Sequence, residues 1–220
     1  MFNLTKEEEE VFKKLDTPRK TQDFLNNLDT NFEEKGETCM SPRRVLKEKK
    51  CHCIEAAMLA ALALRIHGNK PLILDLTGTR NDWDHVIAIF KKYGKFGAIS
   101  KTNHAVLGYR DPVYNSIREL VMSFFHEYTD EHGHKTLRSY SDPIDLSKFD
   151  KHNWITDEED LWYICNYLSE INHYQILTRK QIANLRKADE LEIKAGNLIK
   201  QQDPKKLAQN SFYTPIQLSS

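Results

Sequence analysis

Residues 53–66 read CIEAAMLAALALRI, and their apolar side chains leave no face for water. A surface helix keeps one polar side at 3.6 residues per turn, whereas Ile54, Ala56, Ala57, Met58, Leu59, Ala60, Ala61, Leu62, Ala63 and Leu64 surround the axis. Such a helix is stable only where the rest of the chain wraps it. Its most apolar run, Ala56 to Leu64, is roughly half of what a bilayer-spanning helix requires, so the expected wrapping is protein. Gly68 is well placed to stop it.

Three β-prone stretches follow, at 72–76, 86–90 and 96–99, separated by turn residues, and the last two are expected to form a hairpin around Tyr93-Gly94. A helix followed by consecutive strands predicts an α+β fold rather than an alternating parallel one. With 220 residues, 40% of them apolar, the chain can bury one sizeable core. The expected organisation is a helical leader over 1–50, a core over 51–150, C-terminal helices over 151–202 and a tail over 203–220. In the leader, Val11, Phe12 and Leu15, then Phe24, Leu25 and Leu28, suit short amphipathic helices, and Pro42 suits the first turn of a helix to about Lys49. Pro112 is expected to begin a helix over 113–128. Thr156 with Glu159, and Thr178 with Gln181, have capping-box spacing and predict two more. The second of these carries Ile182, Leu185, Ala188, Leu191, Ala195 and Leu198, a stripe that reads as core or helix contact.

Lys plus Arg and Asp plus Glu both count 32, so no global field draws the chain to nucleic acid or an anionic membrane, and neither is expected as a partner. The basic stretch Arg43, Arg44, Lys47, Lys49 and Lys50 reads as a solvated helix face. The N-terminal residues lack the features of a secretory signal, which predicts a cytoplasmic location. Cys39, Cys51, Cys53 and Cys165 are then expected to be reduced thiols.

Cys53 sits where a helix begins, and unpaired backbone N–H groups and the helix dipole favour a thiolate there. Lys49, Lys50 and His52 add positive charge nearby. His85 is the candidate base: it opens the strand at 85–90, and the period of two puts it with Ile87 and Ile89 on the face expected to meet the helix. The third member depends on the hairpin register. A Tyr93-Gly94 loop sets His85 opposite Thr102 with Ser100 on its face, whereas a Lys92-Tyr93-Gly94 loop makes Asn103 its neighbour. Asn103 is the favoured partner, because an amide accepts from an imidazole and keeps it neutral, with Ser100 as the alternative. Trp83 and Arg110 are candidates for the substrate pocket. Cys51-His-Cys53, with Cys39, offers zinc ligands, but the two-residue spacing of paired structural ligands is missing. His132-Gly-His134 reads as a solvated loop.

Cys53-Ile-Glu-Ala-Ala57, Arg65-Ile-His-Gly68 and Asp84-His85-Val86 together resemble the Cys and His boxes of transglutaminase-like proteins. The stretch from Cys51 to about Pro112 is similar to a bacterial group of that superfamily, through Asp84-His85-Val86, Phe96-Gly97-Ala98 and Arg110-Asp111-Pro112-Val113-Tyr114. The resemblance implies a papain-like α+β fold, with a buried helix on an antiparallel sheet, and a Cys-His-Asp or Cys-His-Asn site acting on amide or ester bonds. Relatives carry the triad aspartate roughly where this chain has Ser100. The expected function is a cysteine hydrolase or acyl transferase using Cys53 and His85, on a peptide or other amide or ester substrate and without a cofactor. The alternatives are an inactive interaction module of the same fold and a zinc-binding module.

Overall fold

The computed structural model describes residues 2–204. Three short helices open the chain: α1 (Lys6–Lys14), α2 (Pro18–Asn26) and α3 (Pro42–Glu48). Each begins with a hydroxyl cap, from Thr5, Thr17 and Ser41, and α2 and α3 carry proline in the first turn, where its missing N–H costs nothing. Lys49 closes α3 in the left-handed conformation. Strands β1 (Asp29–Thr30) and β2 (Lys50–Cys51) then pair in parallel and lead into α4 (Cys53–Ile66), whose residues from Ile54 to Leu64 are all buried.

The main sheet takes β3 (Leu72–Thr77), β4 (His85–Lys92), β5 (Lys95–Ile99) and β6 (Arg110–Tyr114), followed by helix α5 (Ile117–Met122). It is completed by β7 (Ser139–Ser141), β8 (Ile144–Asp145) and, after α6 (Trp162–Glu170), β9 (His173–Gln175). The order is β6-β5-β4-β3-β7-β9 with β8 also beside β3, and every pairing in it is antiparallel. The fold class is therefore α+β, as the order of elements predicts. Helices α7 (Arg179–Ile182) and α8 (Glu190–Gly196) follow the sheet. No helix of the described residues is long and apolar enough to cross a membrane.

Two cores lie on opposite faces of this sheet. Val86, Ala88 and Phe90 of β4, with Ile73 and Ile99, pack with α4, the leader and α6. Ile87 and Ile89, with Leu74, Leu76 and Ala98, pack with Leu120, Val121, Phe124 and Tyr128. The expectation that the Ile87–Ile89 face meets the buried helix is thus overturned. Both faces of the strand are apolar because both are covered, so alternation fixes which residues share a face but not which face each layer covers.

Three helix expectations also change. Residues 110–114 form β6 at the edge of the sheet, where Pro112 needs no ladder partner, and the helix begins only at Ile117. Thr156 starts no helix. The backbone there is recruited by the leader instead: Ser41 Oγ donates to Asp157 O at 2.6 Å, Arg43 N to Ile155 O at 3.1 Å and Leu161 N to Cys39 O at 2.8 Å. Thr178 and Gln181 do form a capping box, but α7 ends after one turn. Lys135 Nζ and Gly133 O then take Arg186 O and Ala188 N, both at 2.8 Å, and a new cap at Asp189 begins α8. Leu191 and Leu198 are exposed rather than buried. Of the expected tail, 205–220 lie outside the described residues.

Gly97 is fixed by close approach. It marks a register shift between β5 and β6, and a Cβ there would lie 2.6 Å from the Phe90 ring and 2.7 Å from Arg110 O. Gly97→Ala should lower the unfolding free energy by about 1–3 kcal/mol, read from the denaturant midpoint.

Candidate active site

Lys92 pairs with Lys95 across a two-residue turn in which Tyr93 (φ 53°) and Gly94 (φ 76°) are both left-handed. This is the register that puts Ser100, not Asn103, on the face of His85. His85 Nε2 lies 2.7 Å from Ser100 Oγ, and the Ser100 hydroxyl donates to Leu107 O at 2.6 Å. The serine oxygen therefore accepts from Nε2–H, and Nδ1 is the ring nitrogen left for the thiol. Asn103 stands elsewhere: its Oδ1 accepts from Thr30 Oγ1 at 3.3 Å and from Gln201 N at 2.9 Å, and its Nδ2 donates to Gln201 O. A hairpin one residue tighter than the three-residue alternative is the physical reason.

Cys53 occupies the first position of α4, between two imidazoles. Burial opposes its ionisation, but hydrogen bonds from His52 and then His85, and their charge, bring its pKa down to about 5. The His52 pKa goes the other way. Burial opposes its charge, yet the bond to Cys53 and the charge of Glu55 raise it to about 10. Its Nε2 donates to Thr38 O at 2.9 Å and lies 3.4 Å from carboxylate oxygens of Glu33 and Glu55. At neutral pH the sulfur is thus a thiolate beside an imidazolium, and the pair stays charged between about pH 5 and about pH 10.

Glu55 supports this pair from the first turn of α4. Its fully buried carboxylate accepts from His52 N at 2.9 Å, Met40 N at 3.0 Å, Thr38 Oγ1 at 2.7 Å and Asn31 Nδ2 at 3.2 Å. Ser100 is held from the leader, where the Gln22 side chain amide takes its N–H at 2.9 Å and its carbonyl at 2.8 Å.

A cavity of about 570 Å³ opens on the sulfur. It is bordered by His52 and Cys53 of α4, Asp75 and Thr77 of β3, Trp83 and Asp84 before β4, and Cys165, Ser169 and His173 near α6. Trp83, 88% exposed, is among its bordering residues. His85 is buried and does not border it, so an incoming molecule meets the sulfur and His52. Arg110 is not there. Its guanidinium lies over Phe124, 4.1 Å from the ring centre, with Glu127 at 2.6 Å and Ser123 Oγ at 3.0 Å, because β6 carries it to the far edge of the sheet. Arg65 of the recognised motif pairs with Asp150 through two 2.6 Å bonds. Arg43, Arg44 and Lys47 pair with Glu8, Asp160 and Glu158.

The candidate zinc ligands separate. Cys39 and Cys165 share a hydrogen bond, Sγ to Sγ 2.8 Å, which with burial pushes the Cys39 thiol far up. Burial raises Cys51 to about 12. No group of three or more metal-ligating side chains occurs among the described residues. His134 pairs with Asp130 within its own loop.

Sequence reasoning missed Gln22, Glu55, Asp75 and His173. Two of these carried a readable signal: Glu55 and Asp75 are lone carboxylates inside otherwise apolar elements, and a charge placed there needs a partner or a use. Gln22 carried none, since a glutamine on a leader helix is ordinary. No protein-family model matches the chain, and no curated protein matches it.

The depressed Cys53 pKa fixes the sign of a pH experiment. The thiolate persists as pH falls to about 5, so iodoacetamide labelling of Cys53, read by peptide mass spectrometry, should be flat from pH 9 to 6, while Cys51 stays unreactive. In His52→Ala the Cys53 midpoint should rise. A normal thiol titration in the unaltered protein would remove the ion pair.

Proposed function

We propose that the chain is a transglutaminase-like cysteine hydrolase or acyl transferase of papain-like fold, acting on amide or ester bonds through Cys53 and His85. The observation that carries this reading is a cysteine at the start of a buried helix, open to a cavity and set beside His52 and His85, with the His85 Nε2 held by Ser100. The buried α4 against an antiparallel sheet supports the fold assignment.

In this mechanism the Cys53 thiolate attacks the carbonyl carbon. The oxyanion that forms faces the first-turn N–H groups of α4, with the His52 cation bordering the same cavity. The departing amine or alcohol takes its proton from the His52 imidazolium, which borders the cavity, and water or an amine, giving a proton back to that imidazole, then attacks the thioester and releases the acyl group. Ser100 holds the His85 ring so that Nδ1 faces the sulfur.

A second reading, an interaction module that kept the fold and lost the chemistry, is favoured by one observation: the partner of His85 is a neutral hydroxyl and not a carboxylate. Hydrolysis of p-nitrophenyl acetate decides between them. Cys53→Ala and His85→Ala should lose the protein-dependent rate with unchanged circular dichroism. Ser100→Ala should lower kcat about tenfold, the equivalent of one lost orienting hydrogen bond. A full rate in Cys53→Ala overturns the hydrolase reading, and no rate in the unaltered protein despite a reactive Cys53 supports the module.

A further inference from the structure

Asp75 is the feature of the cavity that this chemistry does not use. It lies in the middle of β3, opposite Val86, among Leu72, Ile73, Leu74 and Leu76, and its side chain is 9% exposed. One oxygen is occupied: Oδ2 is 3.2 Å from His173 Nε2 and accepts from Thr77 Oγ1, also at 3.2 Å. The other, Oδ1, is buried and has no hydrogen-bond partner among the described residues. Leaving a buried carboxylate oxygen unpaired is costly, and a fold that satisfies Glu55 with four residues has the means to satisfy this one.

The walls around Asp75 favour a cation. Among the described residues Glu33, Asp75 and Asp84 border the cavity and no lysine or arginine does, and the His52 cation is matched by the thiolate beside it. The cavity is the size of a small-molecule site. Burial and the neighbouring Asp84 carboxylate raise the Asp75 pKa to about 6, so an arriving positive charge would restore its ionised form.

We infer that Asp75 is a specificity-determining residue whose carboxylate takes the primary ammonium of the acyl group presented to Cys53. The role of the acyl group rests on the hydrolase reading, while the ammonium site itself does not. His173 and Thr77 hold the carboxylate through Oδ2, and the lone pairs of Oδ1 are left unfilled. A charged N–H donor gives the strongest bond to a carboxylate, whereas a neutral alcohol of the same shape leaves the Asp75 charge unmatched.

The test uses the unaltered protein, since neither probe carries an acyl group that Cys53 could take. n-Butylammonium and its neutral counterpart n-butanol are titrated in parallel, with binding followed by NMR at the backbone amides of β3 and at the His173 ring. The ammonium should bind at least about tenfold more tightly, and Asp75→Asn should abolish that preference. Equal affinity for the two probes, or a preference that survives Asp75→Asn, overturns the inference. The comparison in the unaltered protein decides the first arm even if Asp75→Asn fails to fold. Failure of esterase activity with ammonium binding intact would remove the hydrolase reading and leave the site, and the converse would remove the site alone.

Discussion

Glu55 is a carboxylate withdrawn completely from water at the start of the most buried helix in the protein. An ionised carboxylate in such a place is tolerable only when its lone pairs are filled, and here the helix N-terminus and four separate residues fill them. Two of the donors, Asn31 and Thr38, and the Met40 amide come from the loop between β1 and α3. The fourth is the backbone of His52. One buried charge therefore ties the leader to α4, fixes the residue that precedes Cys53 and, after the Cys53 hydrogen bond, adds to what raises the His52 pKa.

The same economy runs through the rest of the site. Gln22 of α2 closes on both main-chain groups of Ser100 just beyond the end of β5, and Lys101 beside it donates to Leu25 O and Leu28 O at the end of α2. A buried ammonium on a helix C-terminus satisfies carbonyls that the helix itself cannot. Burial lowers its pKa, and the carbonyls are what it gains in exchange for water. The partner of His85 is thus positioned by the leader, and Cys165 and Ser169 of α6 complete the cavity from the C-terminal side. Leader, core and C-terminal helices are separate stretches of sequence but a single apparatus around the sulfur.

This arrangement explains which features were legible in the sequence. Helix α4 and the strands β3 to β5 are written in local pattern: all-round apolarity, β-branched runs and a turn whose left-handed residues include a glycine. Cys53 and His85 were legible because each opens such an element. The partner of His85 was open between two readings, since a single residue of loop length exchanges Ser100 for Asn103, and only backbone geometry settles it. Pro112 and Thr156 misled for a common reason. Local capping and proline signals are worth about 1 kcal/mol each, and an edge-strand pairing or several hydrogen bonds to the leader outweigh them. Arg110 looked like a substrate group because an arginine near a site invites that reading; its stacking on Phe124 depends on where the edge strand ends.

The two buried carboxylates of the site set a contrast that packing alone does not explain. Glu55 and Asp75 are both enclosed, both sit in apolar elements and both have an imidazole at hand, His52 for one and His173 for the other. Around Glu55 the chain brings hydrogen-bond donors from the β1–α3 loop and from the His52 backbone, and the result is a fully satisfied helix entry. Around Asp75 it brings two donors to one oxygen and none to the other, on the side of the sheet where the cavity lies. A carboxylate kept for structure is worth most when fully satisfied, whereas one kept for recognition must be left short of a donor until the ligand supplies it. The difference between the two sites lies in their number of donors, and under the proposed roles it separates the residue that builds the setting of Cys53 from the residue that selects what reaches it.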